Sequence, residues 1–314
     1  MSNSINLAEL PKPICITPVD FQSELDYLLD LYTLGMQEQL NDPSFPYPLV
    51  SDPAYQILST VAYRLGLQRQ AINEAAYATM LAYAVGSDLD QIGANYGVER
   101  LTIGTQPVVV ESDTRFRARI QLALEAWTTA GSRGSYEYHI LSASPAIVDV
   151  YIDRPLFERI AGAEFTLNTL YDARLTDPIP GDVAITLLID PNVDSSSIVS
   201  LVTAALDAET VIPITDRPRL MLAETIEYAV VAELYTYPGP SSLPIVEAAK
   251  AALEAYTTEH YRLGHDIALS GLYGAAHQAG VQRVVLNLTQ DIVVQPWQVA
   301  HCTSIAVSLR GQDV

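Results

Sequence analysis

Two hydrophobic rhythms divide this chain, and no single kind of element satisfies both. Between residues 20 and 97 apolar side chains recur at helical spacing, whereas from PIPGDV (178–183) onward period-two runs alternate with helical ones. Phe21, Leu25, Leu28 and Tyr32 fall at i, i+4, i+7 and i+11 behind Asp20, which predicts a capped helix to about Leu40. The next stretch, NDPSFPYPLVSDP, holds Pro43, Pro46, Pro48 and Pro53, and proline there predicts an extended loop. Ile57, Leu58, Val61 and Leu65, then Ile72, Ala76, Thr79 and Tyr83, read as one long helix or two collinear ones ended by Gly86. Ser87 and Asp90 form an S-x-x-D start for a short helix with Leu89 and Ile92 inward and Gly97 as its stop.

A further helix starts at Ser112/Asp113, with Phe116, Ile120, Ala123, Leu124 and Trp127 on one face and Arg115 and Arg119 together on the opposite side. TTAGSRGS predicts a flexible turn, with Gly131 to Gly134 and Pro238 to Pro240 as hinge candidates. Residues 136–141 fit helix or strand equally, 147–152 read as a strand, and 153–180 carry no assignable pattern. Val183, Ile185, Leu187 and Ile189 alternate as a strand, followed by a helix capped by Ser195 to Ser197 that uses Ile198, Val202 and Ala205. Ile226, Tyr228, Val230, Ala232 and Leu234 form a long strand. Pro240 and Ser242 open a helix stopped by Gly264, Asp266 caps another stopped by Gly280, and Val284, Leu286 and Leu288 make the returning strand.

The sum is an α+β fold: a mostly helical, bundle-forming part followed by small modules of β-α-α-β type. The boundaries read as an N-terminal arm (1–19), a helical domain (20–145), an α+β connector with a first βα module (146–222), a β-α-α-β module (223–291) and a C-terminal strand or tail (292–314).

Charge narrows the function. The 314 residues include 37 Asp plus Glu against 17 Lys plus Arg, a net −20, which repels phosphate and argues against nucleic acid. Hydrophobic residues make up 49% of the chain, so the acidity is that of a folded protein and not of a disordered one. The longest uncharged tract, Ile292 to Leu309, is interrupted by Gln295, Pro296, Gln298 and His301, so no membrane span is expected. MSNSINLAELPKP lacks a basic segment followed by an apolar one, so no signal peptide is expected and synthesis in a cytoplasm is the default. Cys15 and Cys302 lie near opposite ends and read as free thiols.

Catalytic patterns are missing. No G-x-S-x-G occurs, the TAGSRGS turn lacks a phosphate-loop lysine, and none of the five histidines is spaced i, i+4 from another. No catalytic residue, cofactor or metal ligand is therefore assigned. A pair of carboxylates acting as a hydrolase is the alternative that sequence leaves open, because such pairs are set by distance in space. With 18 Tyr against 5 Phe, the aromatic balance favours surfaces that are half buried or buried in a complex.

Six segments in order carry a family resemblance: NEAAYATMLAYAVGSDLDQIGANYGVERL (73–101), ESDTRFRARI (111–120), TAGSRGSYEYH (129–139), PIPGDVAITLLI (178–189), YPGP (237–240) and RLGHDIALSGLYGAAHQAGVQRV (262–284). Together they resemble the baseplate J-like proteins of P2-like and Mu-like contractile tails. Residues 152–177 match no family pattern and read as an insertion or a divergent connector. The resemblance implies a structural wedge subunit, not an enzyme, residing in the tail baseplate of the virion after assembly in the host cytoplasm. Its implied partners are a second copy within the wedge, a second wedge protein resembling the P2 tail protein I, a lysozyme-like wedge or sheath-initiating protein, and the central hub. A wedge-like subunit of a headless contractile particle fits the same resemblance. Arg115, Arg119, Arg262, Tyr235 and Tyr237 are the candidate partner contacts. RLGHDI has two readings, a Gly264 stop with an Asp266 cap, or an inter-subunit contact by Arg262.

Overall fold

A computed structural model describes residues 5–11, 13–103, 109–125, 131–159, 167–207, 211–238 and 243–312. The chain divides into two compact units, one of Asn3–Arg100 with Ser112–Gln121, the other of Leu101–Glu111 with Leu122–Val314. The architecture is α+β.

In the first unit a 3-10 turn (Leu7–Glu9) precedes α1 (Phe21–Leu40), α2 (Pro53–Ala78) and α3 (Gly86–Asn95). Asp20 caps α1, its carboxylate accepting the Gln22 amide at 3.1 Å. The Pro-rich stretch is the expected loop. α2 starts with Pro53 at its first turn, where the missing N–H costs nothing. α1 and α2 pack together on Leu25, Leu29 and Ala62, with Leu28, Tyr55 and Leu58 partly buried beside them. Phe21, placed on that inner face by spacing, is exposed; the stripe turns about Leu25 and Leu29 instead.

Gly86 does not end the long helix. α2 stops at Ala78, and Gly86, with φ +53°, is the first residue of α3. Ser87 does not cap it either: the Gly86 amide donates to the Asp113 carboxylate, 27 residues away in sequence, at 3.1 Å. Gly97 ends α3 as expected, with φ +70° and the paired bonds Val98 N–H to Gly93 C=O and Gly97 N–H to Ala94 C=O.

Two short strands, β1 (Thr102–Ile103) and β2 (Val109–Val110), pair antiparallel before α4 (Asp113–Leu122). Phe116 and Ile120 are buried as expected, but α4 ends before Leu124, which is exposed; Trp127 lies outside the described residues.

In the second unit α5 (Arg133–Ala143), capped by Ser132, resolves the ambiguity at 136–141 as helix. It leads into β3 (Ile147–Asp153), a hairpin of β4 (Leu156–Arg159) and β5 (Leu167–Tyr171), then β6 (Asp182–Ile189), α6 (Ser195–Leu206) and β7 (Arg217–Leu222). The sheet order is β3-β6-β7, antiparallel then parallel. α6 is capped by Asp194, not by its serines; the Asp194 carboxylate accepts the Ser196 and Ser197 amides. Leu206, not Ala205, completes its buried stripe.

β8 (Glu224–Thr236), α7 (Leu243–Glu259), α8 (Leu269–Ala276), β9 (Val281–Leu286) and β10 (Gln298–Gln312) complete the unit. β8 is central, with β9 antiparallel on one side and β10 parallel on the other. Tyr228, Val230, Ala232 and Leu234 point at α7 and α8, meeting Ala249, Leu253, Leu272 and Ala276 in one core. Residues 239–242, including the expected helix start at Pro240 and Ser242, lie outside the described residues.

Candidate interaction surfaces

ESDTRFRARI folds as an internal clamp. The stretch 79–101 is mostly turns and helix ends, whose carbonyls have no partner inside a helix and need donors from elsewhere. Arginine, with several N–H groups on one fork, is suited to that task. Arg117 donates to the Leu81 and Ala84 carbonyls, both at 2.7 Å, and Arg119 to the Glu99 carbonyl at 2.6 Å. Arg100 pairs with Asp90 and Asp113, each at 2.7 Å, and lies 4.7 Å from the centre of the Phe116 ring. The Phe116 ring sits on the bare Cα of Gly93, where a Cβ would come within 2.5 Å of the ring and 2.8 Å of the Val98 carbonyl oxygen.

Arg119 is therefore not on a polar outer face beside Arg115. It is 2% exposed and stacks 5.6 Å from the Phe116 ring centre, because position i+3 from Phe116 lies over the same buried side. Arg115 is partly buried, with its amide donating to the Ser112 hydroxyl.

RLGHDI is a junction inside the second unit, and its roles differ from the expected ones. α7 ends at Glu259, so Gly264 is no helix stop; at φ +70° it lies against Pro296, and its amide donates to the Gln298 carbonyl at 2.9 Å. Asp266 is no cap either. It accepts the Val294 amide at 2.8 Å, while Asp291 supplies the carboxylate at the start of α8 by accepting the Leu269 amide at 2.8 Å. The Leu263 amide donates to Asp149 of β3 at 3.0 Å, which ties the connector to the first sheet. Burial pushes the Asp149 carboxyl upward, opposed by the Val150 and Leu263 amides and by the charges of Arg262 and His265. Burial raises Glu137 of α5 as well, and the charge of Asp149 raises it further. Arg262 is exposed, and its charge acts on the Asp149 carboxyl.

Tyr235 and Tyr237 sit at the end of β8. The Arg283 guanidinium lies 4.0 Å above the Tyr235 ring, leaving it half buried, and Tyr237 is 55% exposed. The glycines proposed as a hinge are packing positions. A Cβ on Gly131 would come 2.8 Å from Asp216, and one on Gly134, inside α5, 2.8 Å from Glu125. Gly239 and Pro240 of the other hinge candidate lie outside the described residues.

The α1–α2 hairpin presents an open apolar surface, which sequence periodicity did not single out. On α1, Tyr27, Leu31 and Leu34 form an exposed row at i, i+4 and i+7; on α2, Ile57, Val61 and Ile72 are exposed, and so are Tyr63 and Leu67 on another side. The signal was present in the sequence, since both helices have more apolar residues than one inner stripe can use. The charge of the hairpin is divided between its helices: residues 20–52 hold Asp20, Glu24, Asp26, Asp30, Glu38, Asp42 and Asp52 and neither Lys nor Arg, whereas α2 carries Arg64, Arg69 and Glu74, with Arg69 paired to Glu24 at 3.3 Å.

Among the described residues no group of three or more His, Cys, Asp or Glu side chains is placed to hold a metal ion, and no helix is long and apolar enough to cross a membrane. Residues 51–106 match the Baseplate J-like N-terminal domain. Over 321 aligned residues the chain is 40% identical to baseplate protein J of Escherichia phage P2, with 98% of this chain and 99% of that protein covered.

Proposed function

From the premise that this chain belongs to the baseplate J family, we propose that it is a structural wedge subunit of a contractile tail baseplate and not an enzyme. In this reading it works in the virion tail, after assembly in the host cytoplasm, by linking wedges into a ring and passing on the change of shape that triggers sheath contraction.

The observation that carries the reading is the α1–α2 hairpin. Two helices of 20 and 26 residues bury only Leu25, Leu29 and Ala62 between them, while Leu34 and Ile57 stand 63% and 64% exposed. A surface of this kind is characteristic of an element finished by another chain. Its partner should bring apolar anchors together with Lys or Arg, because the acidic α1 offers charge to pair with. A second copy brings the same acidic α1, so two α1 faces repel each other. A second wedge protein resembling the P2 tail protein I, supplying basic helices between two copies, fits better. The lysozyme-like wedge protein and the central hub complete the proposed set of partners, and Arg115, Arg262, Tyr235 and Tyr237 remain the proposed contacts outside the hairpin.

Co-expression with a candidate second wedge protein resembling the P2 tail protein I, followed by mass measurement, tests the proposal. A stable complex that is lost when Leu31 is replaced by Asp is the expected result. Persistent separation of the two proteins, with no ring or wedge seen by electron microscopy, contradicts it.

A further inference from the structure

We propose that the free edge of β10 is where a second copy of this chain pairs, antiparallel and strand to strand, through Ile305, Val307 and Leu309. The inference deepens the wedge reading, on which it rests for the setting in which two copies meet.

The argument starts from which backbone groups are already used. Asn287 occupies the β9 side of β8: its side chain accepts the Val231 amide and donates to the Ala229 carbonyl, and its own amide donates to the Val231 carbonyl. On the other side, the Tyr228 carbonyl accepts the Thr303 hydroxyl of β10. Backbone groups alternate along a strand, so Val230, Ala232 and Leu234 also face β10. The register sets these three opposite Ile305, Val307 and Leu309. In a parallel ladder each residue bonds to the neighbours flanking its partner, here Ser304, Ala306, Ser308 and Arg310. The N–H and C=O groups of Ile305, Val307 and Leu309 therefore point to the opposite edge, where β10 ends the sheet and no described residue pairs with it.

That edge lacks the features that keep sheet edges apart. Register shifts at Cys302/Ser304 and Leu309/Gly311 bracket a regular run, Ser304 to Leu309, with no charge, proline or glycine. Ile305 and Val307 are partly buried against the sheet core and Leu309 is exposed, so the edge groups come with an apolar row that a further strand would extend.

Charge selects the occupant. Residues 292–312 contain no Asp or Glu in a chain of net −20, so two copies meet little like-charge repulsion along this strand. A basic partner of the kind that suits the hairpin finds no acid to pair with on this strand. The edge is also self-complementary. About a two-fold axis at Val307, Val307 lies opposite its own copy and Ile305 opposite Leu309, so each of the three N–H groups gains a carbonyl acceptor. Because such an axis runs normal to the sheet, α7 and α8 of both copies fall on one face of the joined sheet.

Sedimentation of the full chain at micromolar concentration tests this. The wild type is expected to be a dimer, and Leu309→Lys, at an exposed position, and Val307→Pro, which removes an outward N–H, are expected to be monomers. Ser308→Pro removes an N–H that serves β8 and is expected to lower the melting temperature, which checks the assignment of sides. Leu31→Asp on α1 should leave the dimer intact. A monomeric wild type, or dimers in both edge variants, overturns the proposal; so does loss of the dimer in Leu31→Asp with its retention in Leu309→Lys. Should Val307→Pro fail to fold, Leu309→Lys alone decides. Failure of the wedge reading looks different: the edge-paired dimer persists, but neither wild type nor Leu309→Lys captures the second wedge protein.

Discussion

The α1–α2 hairpin and the β3-β6-β7 layer use similarly apolar sequence to opposite ends. In the layer, five successive residues of β6, Ala184 to Leu188, are buried. Ile185 and Leu187 meet Tyr136 and Ile140 of α5 and Ile198, Val202 and Leu206 of α6. Ala184, on the other face, meets Ala173, Leu175 and Met221. The hairpin, with many more residues, closes over three. One region carries both of its covering layers within the chain, and the other presents a half-finished core. Isolated helices draw most of their stability from tertiary packing, so the hairpin should be the part whose rigidity depends on assembly.

Several substitutions can break or sharpen that contrast. Ile185→Ala removes a fully buried side chain and should cost about 2–5 kcal/mol of unfolding free energy, whereas Leu31→Ala on the open face of α1 should stay within about 0.5 kcal/mol in the isolated chain. Equal losses in denaturant titrations would mean that the hairpin is closed after all. Gly93→Ala drives a methyl into Phe116 and the Val98 carbonyl and should cost about 1–3 kcal/mol, giving the helical unit one well-packed corner against which to measure the hairpin. Asp266→Ala strands the amide of Val294, itself a buried residue, at a cost of about 1–3 kcal/mol. An unchanged melting temperature in that variant would show that the RLGHDI junction is held by its other bonds.

Acidity gives a smaller and signed effect. Burial raises the carboxyls of Glu137 and Asp149, so the folded chain holds these protons more tightly than the unfolded one. Their contribution to stability is therefore fully present below the unfolded carboxylate range of about 4 and is lost as pH rises through the raised folded values. Glu137→Gln should raise the melting temperature at pH 7 and not at pH 4; a gain at both would assign the effect to packing. Last, ionic strength should leave melting nearly unchanged while slowing capture of a basic partner by the hairpin about tenfold. An association rate indifferent to salt would reduce the charge to a device for solubility.

Local signals were legible where the chemistry is local. The Asp20 cap, the Gly97 stop and the strand at Ile226 to Leu234 follow from residue type and spacing, and all three stand in the structure. Expectations failed where a distant group did the work. Ser87 and Asp266 look like caps in sequence, yet the capping carboxylates at those helix starts belong to Asp113 and Asp291. Arg119 looks like a surface charge because arginine usually is one; the carbonyl of Glu99 and the ring of Phe116, both supplied by tertiary packing, make it a buried one. For β6, the alternating reading picked out one face and missed the other. The continuous run VAITLLI was the available sign that both faces are covered. What covers the second face includes Ala173 and Leu175 from the stretch that matched no family pattern, held with φ of +51° at Ala173 and +65° at Arg174.

By itself the sequence determined the class of fold, most of its helices and the strands β3, β6, β8 and β9, the unbalanced charge and the likeness to baseplate proteins, because periodicity, caps, composition and motif order are properties of neighbouring residues. Only the tertiary structure decided which apolar faces are finished and which are open, which arginines are spent on internal carbonyls, and that β10 lies parallel to β8 with one edge unpaired among the described residues. Those facts depend on long-range pairing, and a backbone N–H or an apolar side chain carries no mark in the sequence of whether its partner lies in the same chain.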